Sequence, residues 1–359
     1  MPHVYSISKI MIKTNIHLAD FLAEQQAGEA LATLLLAVAD ICIKIASLTT
    51  KGALADITGK LQSQNVQGET QMQLDVLTND IFISGLKECS LVAGLASEEE
   101  EDVCNIRAAN YLVVFDPLDG SSNVSVNVSV GSIFSVLNAP ENRVPIEADY
   151  LQAGNSQVAA GYALYGPATM LVLTLGKGTH GFTLDTENQT FILTHLNMHI
   201  AETTSEFAIN SSNERFWESP VVRYIDECKA GQTGVRGRDF NMRWVASMVA
   251  DVHRILLRGG IYLYPRDNKK PIKAGRLRLM YEANPMSMLV EQASGKSSTS
   301  SERIMEIVPD SVHQRVPVII GTAQEVSLLE RYTEDFNAGN LQNADSPLFA
   351  GRSLFRNNQ

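Results

Sequence analysis

Tyr111-Leu112-Val113-Val114-Phe115-Asp116-Pro117-Leu118-Asp119-Gly120-Ser121-Ser122-Asn123 begins as a continuous apolar run and ends as a polar turn. The apolar half is β-branched and aromatic, the composition of a buried strand. The strand is predicted to stop at Asp116, where Pro117 fixes φ and withdraws a donor and Gly120 permits a sharp turn. Two carboxylates three residues apart then sit at the end of a rigid strand and can converge on one point. Like charges held that close need a cation, or one of them must keep its proton. Oxygen ligands of this kind suit Mg²⁺, which takes one or two carboxylates and leaves room for phosphate oxygens. The small residues Gly120 to Asn123 can turn backbone N–H groups toward an anion. A metal site beside a phosphate cradle is phosphoryl-transfer chemistry, although the same turn also forms without metal, held by Asx hydrogen bonds.

The 359 residues suffice for one large or two ordinary domains with an ample core. A hydrophobic fraction of 45% and a charged fraction of 19% are those of a soluble globular chain. A net charge of −11 argues against nucleic acid or an anionic membrane as a partner, without forbidding a locally held anionic substrate. Cys42, Cys89, Cys104 and Cys228 are scattered, as in a reducing cytoplasm, and form neither a disulfide framework nor a zinc pattern. No apolar run follows a basic start, so no secretory leader is predicted. Leu31 to Ser47 is the most hydrophobic window, but it is short and carries Asp40 and Lys44; it reads as a core or interface helix.

Along the chain, helical spacing marks Ile16 to Glu24 and Gly28 to Ser47. Lys51 to Gln73 is polar and reads as a mobile loop carrying Glu69. Asp75 is placed to cap the next helix. Leu91 to Ala96 is a strand, left directly by Glu98 and Glu99, while Glu100 to Asp102 reads as a solvated tip. If this strand and Tyr111 to Phe115 are neighbours, four carboxylates meet at one sheet end. Paired strands follow at 158–166 and 169–176, with a hairpin at 180–193. Then come a strand at 206–210, helices at 215–229 and 244–258, and a strand at 260–264. A helix at 276–293 carrying Glu282, a strand at 316–320 and a helix at 324–335 complete the order. Alternating strands and helices predict a layered α/β architecture.

These segments together resemble the class I fructose-1,6-bisphosphatases from about Ile16 to Asp335. The motifs that carry the resemblance are Leu74 to Asp80, Ser97-Glu98-Glu99, Phe115 to Asn123, Gly161 to Gly166, Ser247 to Arg254 and Leu279 to Met286. It implies a sugar-phosphatase fold of two stacked sheets and helices. The metal- and phosphate-binding domain would span 10–200, the sugar-binding domain 201–336, and a polar tail 337–359. It also implies a cytoplasmic homotetramer that removes the 1-phosphate of fructose 1,6-bisphosphate with two or more Mg²⁺ per subunit, Mn²⁺ or Zn²⁺ being alternatives. The metal ligands carried over are Glu98, Glu99, Asp116, the Leu118 carbonyl, Asp119 and Glu282. Asp119, Gly120, Ser121 and Ser122 would cradle the 1-phosphate. Asn210, Tyr264 and Arg276 would hold the sugar and its 6-phosphate, and Arg243 would come from a neighbouring subunit; in isolation Arg243 reads as a solvated arginine. Glu99 with Asp75 would accept the attacking water's proton, and Glu69 would close over the site.

The chain departs from the family pattern at several places. Val124-Ser125 stands where an Ile-Asp pair is usual, and Arg276 where a lysine is usual. Ala32, Asn110 and Asn138 fall where AMP-sensitive relatives use a threonine, a lysine and an arginine, so weak AMP inhibition is expected. Sedoheptulose 1,7-bisphosphate is the alternative substrate. A catalytically silent family member is the reading from another class.

Overall fold

A computed structural model of the chain describes residues 15–52, 60–64 and 70–340. The expectations for Glu69, for the first residues and for most of the tail fall outside them. Helices α1 (Leu18–Glu24) and α2 (Glu29–Thr49) are followed by a small antiparallel pair, β1 (Lys60–Gln64) and β2 (Thr70–Met72). Part of the segment expected to be loop is therefore strand. Next come α3 (Gln73–Glu88) and the strands of the main sheet: β3 (Val92–Ser97), β4 (Cys104–Asn105), β5 (Tyr111–Asp119), β6 (Val130–Asn138), β7 (Ala159–Tyr165), β8 (Thr169–Thr174), β9 (Thr179–Asp185) and β10 (Thr190–His195). Their order is β10-β9-β8-β7-β6-β5-β3-β4, and only the β3–β5 pair is parallel.

The second half begins with β11 (Glu206–Ile209), α4 (Ser219–Ala230), β12 (Asn241–Met242), α5 (Met248–Arg258) and β13 (Ile261–Tyr264). It continues with β14 (Leu277–Arg278), α6 (Asn284–Gln292), β15 (Lys296–Ser298), β16 (Arg315–Val316), β17 (Val318–Gly321) and α7 (Ala323–Asn337). A second sheet is ordered β12-β11-β13-β17-β15, and β14 pairs with β16 beside it.

The central strands β5, β6 and β7 are buried along nearly their whole length because helices cover both faces. Successive residues feed different cores. Phe115 and Phe134 pack with Leu34, Val38 and Phe82 of the first helices, whereas Ile133 and Tyr162 pack with Val252 of α5 and Leu289 of α6. Ile320 of the second sheet closes that second core, and Tyr224 of α4 and Leu329 of α7 cover the sheet's far face. The result is five layers, helices alternating with two sheets, the layered α/β architecture that the alternation predicted. Helix α2 is long and apolar enough to span a membrane by length and composition. Its Leu34, Val38, Cys42 and Ile45 are nevertheless fully enclosed in the first core.

Several local expectations differ from the structure. Strand β5 does not stop at Asp116 but runs through Asp119. Asp75 lies inside the first turn of α3 rather than capping it. Helix α4 starts at Ser219, with Pro220 in its first turn, after a separate 3₁₀ turn at Ser211–Phe216. Helix α5 starts at Met248 because Ser247 caps it, its Oγ accepting from the Ala250 N–H at 3.3 Å. The stretch 276–293 is no single helix: β14 leads into a π-helical turn, Leu279–Ala283, and then α6.

Candidate active site

The parallel register aligns Ser97 with Phe115, so Glu98, just past β3, and Asp116, within β5, stand at the same end of neighbouring strands. The Glu98 N–H donates to the Phe115 carbonyl at 3.1 Å, tying the two positions together. Along β5, Asp116 pairs with Ile133 and Asp119 with Gly131, so one strand spends an extra residue there. In a regular strand, residues three apart face opposite sides. This bulge turns both carboxylates the same way. It is secured from below by the Ser132 hydroxyl, which donates to the Pro117 carbonyl at 2.7 Å. Leu118 lies buried between the two acids, and its N–H donates to Asp116 Oδ1 at 2.9 Å.

Glu282 arrives from the other half of the chain on the π-helical turn, an irregularity that tends to occur at functional sites. Oxygens of Asp116, Asp119 and Glu282 lie within 4.8 Å of one another, and all three residues are buried. Glu98 completes the acidic end and is held by the Arg278 guanidinium at 2.6 Å. Arg278 also donates its backbone N–H to Glu282 Oε2 at 2.6 Å. Burial, followed by the charges of Glu98, Asp119 and Glu282, drives the Asp116 carboxyl well above the usual range. Burial likewise pushes Glu282 up to about 7, against the pull of Arg278.

Asp119 is treated differently. Burial raises it too, but three donors at the start of α5 oppose the rise. Ser247 Oγ donates to it at 2.6 Å, the Val249 N–H at 2.9 Å and the Met248 N–H at 3.2 Å. A helix N-terminus favours an anion, so these contacts act toward keeping this carboxylate ionised. Gly120 follows at φ +77°, and a Cβ there would stand 2.6 Å from the Ser247 Cβ, so only glycine lets the turn pass so close to α5. Ser121 and Ser122 then open a 3₁₀ turn, Ser121–Val126, whose first N–H groups have no partner within it. Asn123 anchors that turn by donating to the Val245 carbonyl at 3.1 Å.

The remaining candidates fall into two places. Glu99 is half-buried just past Glu98, and Asp75 is buried at the start of α3, which packs on β3 and β5. Asn79, one turn further along α3, accepts from Ser97 Oγ at 2.7 Å and donates to Glu100 at 2.6 Å, so Glu100 is not simply a solvated tip. Asn210 and Tyr264 share a depression with Asn213, Trp217 and Asp267. Arg276 joins that group by pairing with Asp267. Arg243 stands apart and exposed; its Nη1 donates to the Met242 carbonyl at 3.0 Å.

Sequence reasoning missed Ser247, Arg278 and Asp267. Ser247 belongs to a motif it singled out and Arg278 directly precedes one, and the signal was available: a serine before an apolar helix is a cap, and an arginine four residues before an acid can answer it. Asp267 carries no local signal.

The donors that meet are all carboxylate oxygens, with no thiolate or imidazole among them. That set fits a hard divalent cation. Family models agree with the geometry. The model described as Fructose-1-6-bisphosphatase, N-terminal domain, matches residues 9–196, and its C-terminal counterpart matches 200–334. The class 1 fructose-1,6-bisphosphatase of Methylacidiphilum infernorum is 52% identical over 349 residues, covering 95% of this chain and 98% of that protein. The enzyme of the same name from Acinetobacter baylyi is 56% identical over 322 residues, covering 89% and 99%. The holo crystal structure of Leishmania major fructose-1,6-bisphosphatase superposes with a TM-score of 0.84 at 38% identity, covering 89% of this chain and 99% of that one. The chain belongs to the class 1 fructose-1,6-bisphosphatase family and is an enzyme of the phosphatase class.

Proposed function

We propose that the chain hydrolyses the 1-phosphate of fructose 1,6-bisphosphate, giving fructose 6-phosphate and phosphate, with Mg²⁺ as its metal. The observation that carries this reading is the convergence of Asp116, Asp119 and Glu282, buried within 4.8 Å of one another. Such a set is tolerable at neutral pH when cations or protons occupy it. When bound, divalent metal would polarise the phosphate oxygens and lower the pKa of a coordinated water.

The chain's own groups supply the rest. Asp116, Asp119, Glu282, Glu98, Glu99 and the Leu118 carbonyl would hold the metals. The N–H groups and hydroxyls of Ser121 and Ser122, with Gly120, would orient the reacting phosphate. A carboxylate oxygen of Glu99 or Asp75 would take the proton as the water oxygen adds to phosphorus; the bond from phosphorus to the C1 oxygen would break with its electron pair left on that oxygen, which takes a proton from solvent while the carboxyl group returns its own there. Asn210, Tyr264 and Arg276 would bind the far end of the sugar. Arg243, exposed on this subunit, would serve a neighbour in a homotetramer. The metal and sugar domains would divide near residue 200, and the protein would work in the cytoplasm.

Phosphate release from fructose 1,6-bisphosphate, measured with and without Mg²⁺ and repeated with Mn²⁺, Zn²⁺ and sedoheptulose 1,7-bisphosphate, tests the reading. Metal-dependent release from the fructose ester is expected. Metal-independent release, or none with any metal, would refute it, and a larger kcat/KM for the sedoheptulose ester would replace the substrate.

A further inference from the structure

Asp267 follows β13 in a loop that is fixed on its outer side. It forms a bridge with Trp217, and the Asn268 N–H donates to the Phe216 carbonyl at 2.9 Å. Its carboxylate is 7% exposed and fully engaged. Oδ2 accepts from Arg276 Nε at 3.0 Å; Oδ1 accepts from Arg276 Nη2 at 2.5 Å and from the Lys269 N–H at 3.0 Å. Arg276 Nη2 also donates to the Lys269 carbonyl at 3.2 Å. One edge of the guanidinium is thus held by a carboxylate that the Lys269 N–H also engages.

The backbone of Arg276 is fixed as well, since Arg315 Nη1 donates to its carbonyl at 2.5 Å. Two residues further on, Arg278 reaches the acidic end. The Nη1 edge of Arg276, by contrast, makes no hydrogen bond with any described residue, and the side chain is 20% exposed. Asp267 lines the same depression as Asn210 and Tyr264, and Tyr264 lies close enough to Arg276 to interact with it electrostatically.

We propose that Asp267 is a positioning residue for substrate selection, holding the Nε–Nη2 edge of Arg276 so that only the Nη1 edge is left to donate to the phosphate distant from the reaction. This rests on the proposed sugar-bisphosphatase reading. A planar fork can be held along one edge and still donate from another, whereas a lysine ammonium held by Asp267 would have no fixed second edge. The pair is electrically neutral, so discrimination comes from aimed hydrogen bonds more than from net charge.

The test compares fructose 1,6-bisphosphate with fructose 1-phosphate, which has the reacting phosphate but lacks the distant one. The readout is the ratio of kcat/KM for the two esters, in wild type, Asp267→Asn, Arg276→Gln and the double variant, with circular dichroism to verify folding. Wild-type turnover of the bisphosphate tests the underlying reading separately, and its absence would sink that reading before Asp267 is at issue. With an active wild type, Asp267→Asn should lower the ratio about tenfold through KM for the bisphosphate, equivalent to about 1.4 kcal/mol. The double variant should match Arg276→Gln alone. An unchanged ratio, whether both esters hold or both fall together, would overturn the inference. So would a further drop in the double variant, because Asp267 would then act by another route.

Discussion

Replacing Asp116 by Asn should make the metal-free protein more stable while abolishing its activity. The Asp116 carboxylate is buried within 4.8 Å of those of Asp119 and Glu282. At an effective dielectric constant near 20, two unit charges at that distance repel by about 3 kcal/mol. Arg278 offsets part of this by pairing with Glu98 and donating to Glu282. A proton offsets more, since burial and the neighbouring acids raise the Asp116 carboxyl well above its usual value. A pKa higher in the folded than in the unfolded chain means that the native form binds the proton more tightly. The stability from that proton is complete below the unfolded value, near pH 4, and drains away as pH climbs through the folded value. The gain from Asp116→Asn should therefore be small near pH 5 and reach about 1–3 kcal/mol near pH 9. Asparagine keeps an Oδ1 for the Leu118 N–H, so the turn need not move. Thermal unfolding in EDTA across that pH range measures the effect, and added Mg²⁺ should stabilise wild type but not the variant. If the variant melts below wild type near pH 9 in EDTA, the repulsion argument is wrong.

Ser247→Ala removes both the α5 cap and the 2.6 Å hydrogen bond to Asp119. A cap contributes about 1 kcal/mol and a hydrogen bond to a charged group about 1.5–3, so the melting temperature should fall by several degrees. The Mg²⁺ requirement, read from activity titrations, should rise about tenfold if Asp119 loses roughly 1.4 kcal/mol of orientation. Gly120→Ala places a Cβ 2.6 Å from that of Ser247 at φ +77°. The clash and strain should cost about 1–3 kcal/mol of stability, visible in urea unfolding, and most of kcat. AMP at micromolar concentration should leave phosphate release nearly unchanged, because Ala32, Asn110 and Asn138 offer no cation; half-inhibition in that range would contradict this.

Much of the main sheet was legible because its strands are short, rich in β-branched and aromatic residues, and bounded by turn residues. The acids Asp116 and Asp119 were legible for a related reason, since they end one such strand. The bulge that lets them face one way was not, because it depends on pairing with Ile133 and Gly131, and one strand's sequence does not encode its partner's register. Arg215 and Phe216, the end of a 3₁₀ turn, and Leu279 to Ala283 read as ordinary helix because 3₁₀ and π turns share most of the α pattern. Glu282 was placed by resemblance, and its meeting with Asp119 is a long-range event. Asp267 was invisible for a similar reason: its partner's role emerges only once the loop is folded back on Trp217.

The hydrogen bonds from Ser247, Met248 and Val249 to Asp119 have a consequence for biosynthesis. A nascent polypeptide halted before Ser247 would carry Glu98, Asp116 and Asp119 but neither the helix that orients the last of them nor Glu282. A divalent cation would find no finished cage on such a fragment. The ion would thus reward only chains translated well past residue 282, acting as a latch on chains that hold both halves of the site.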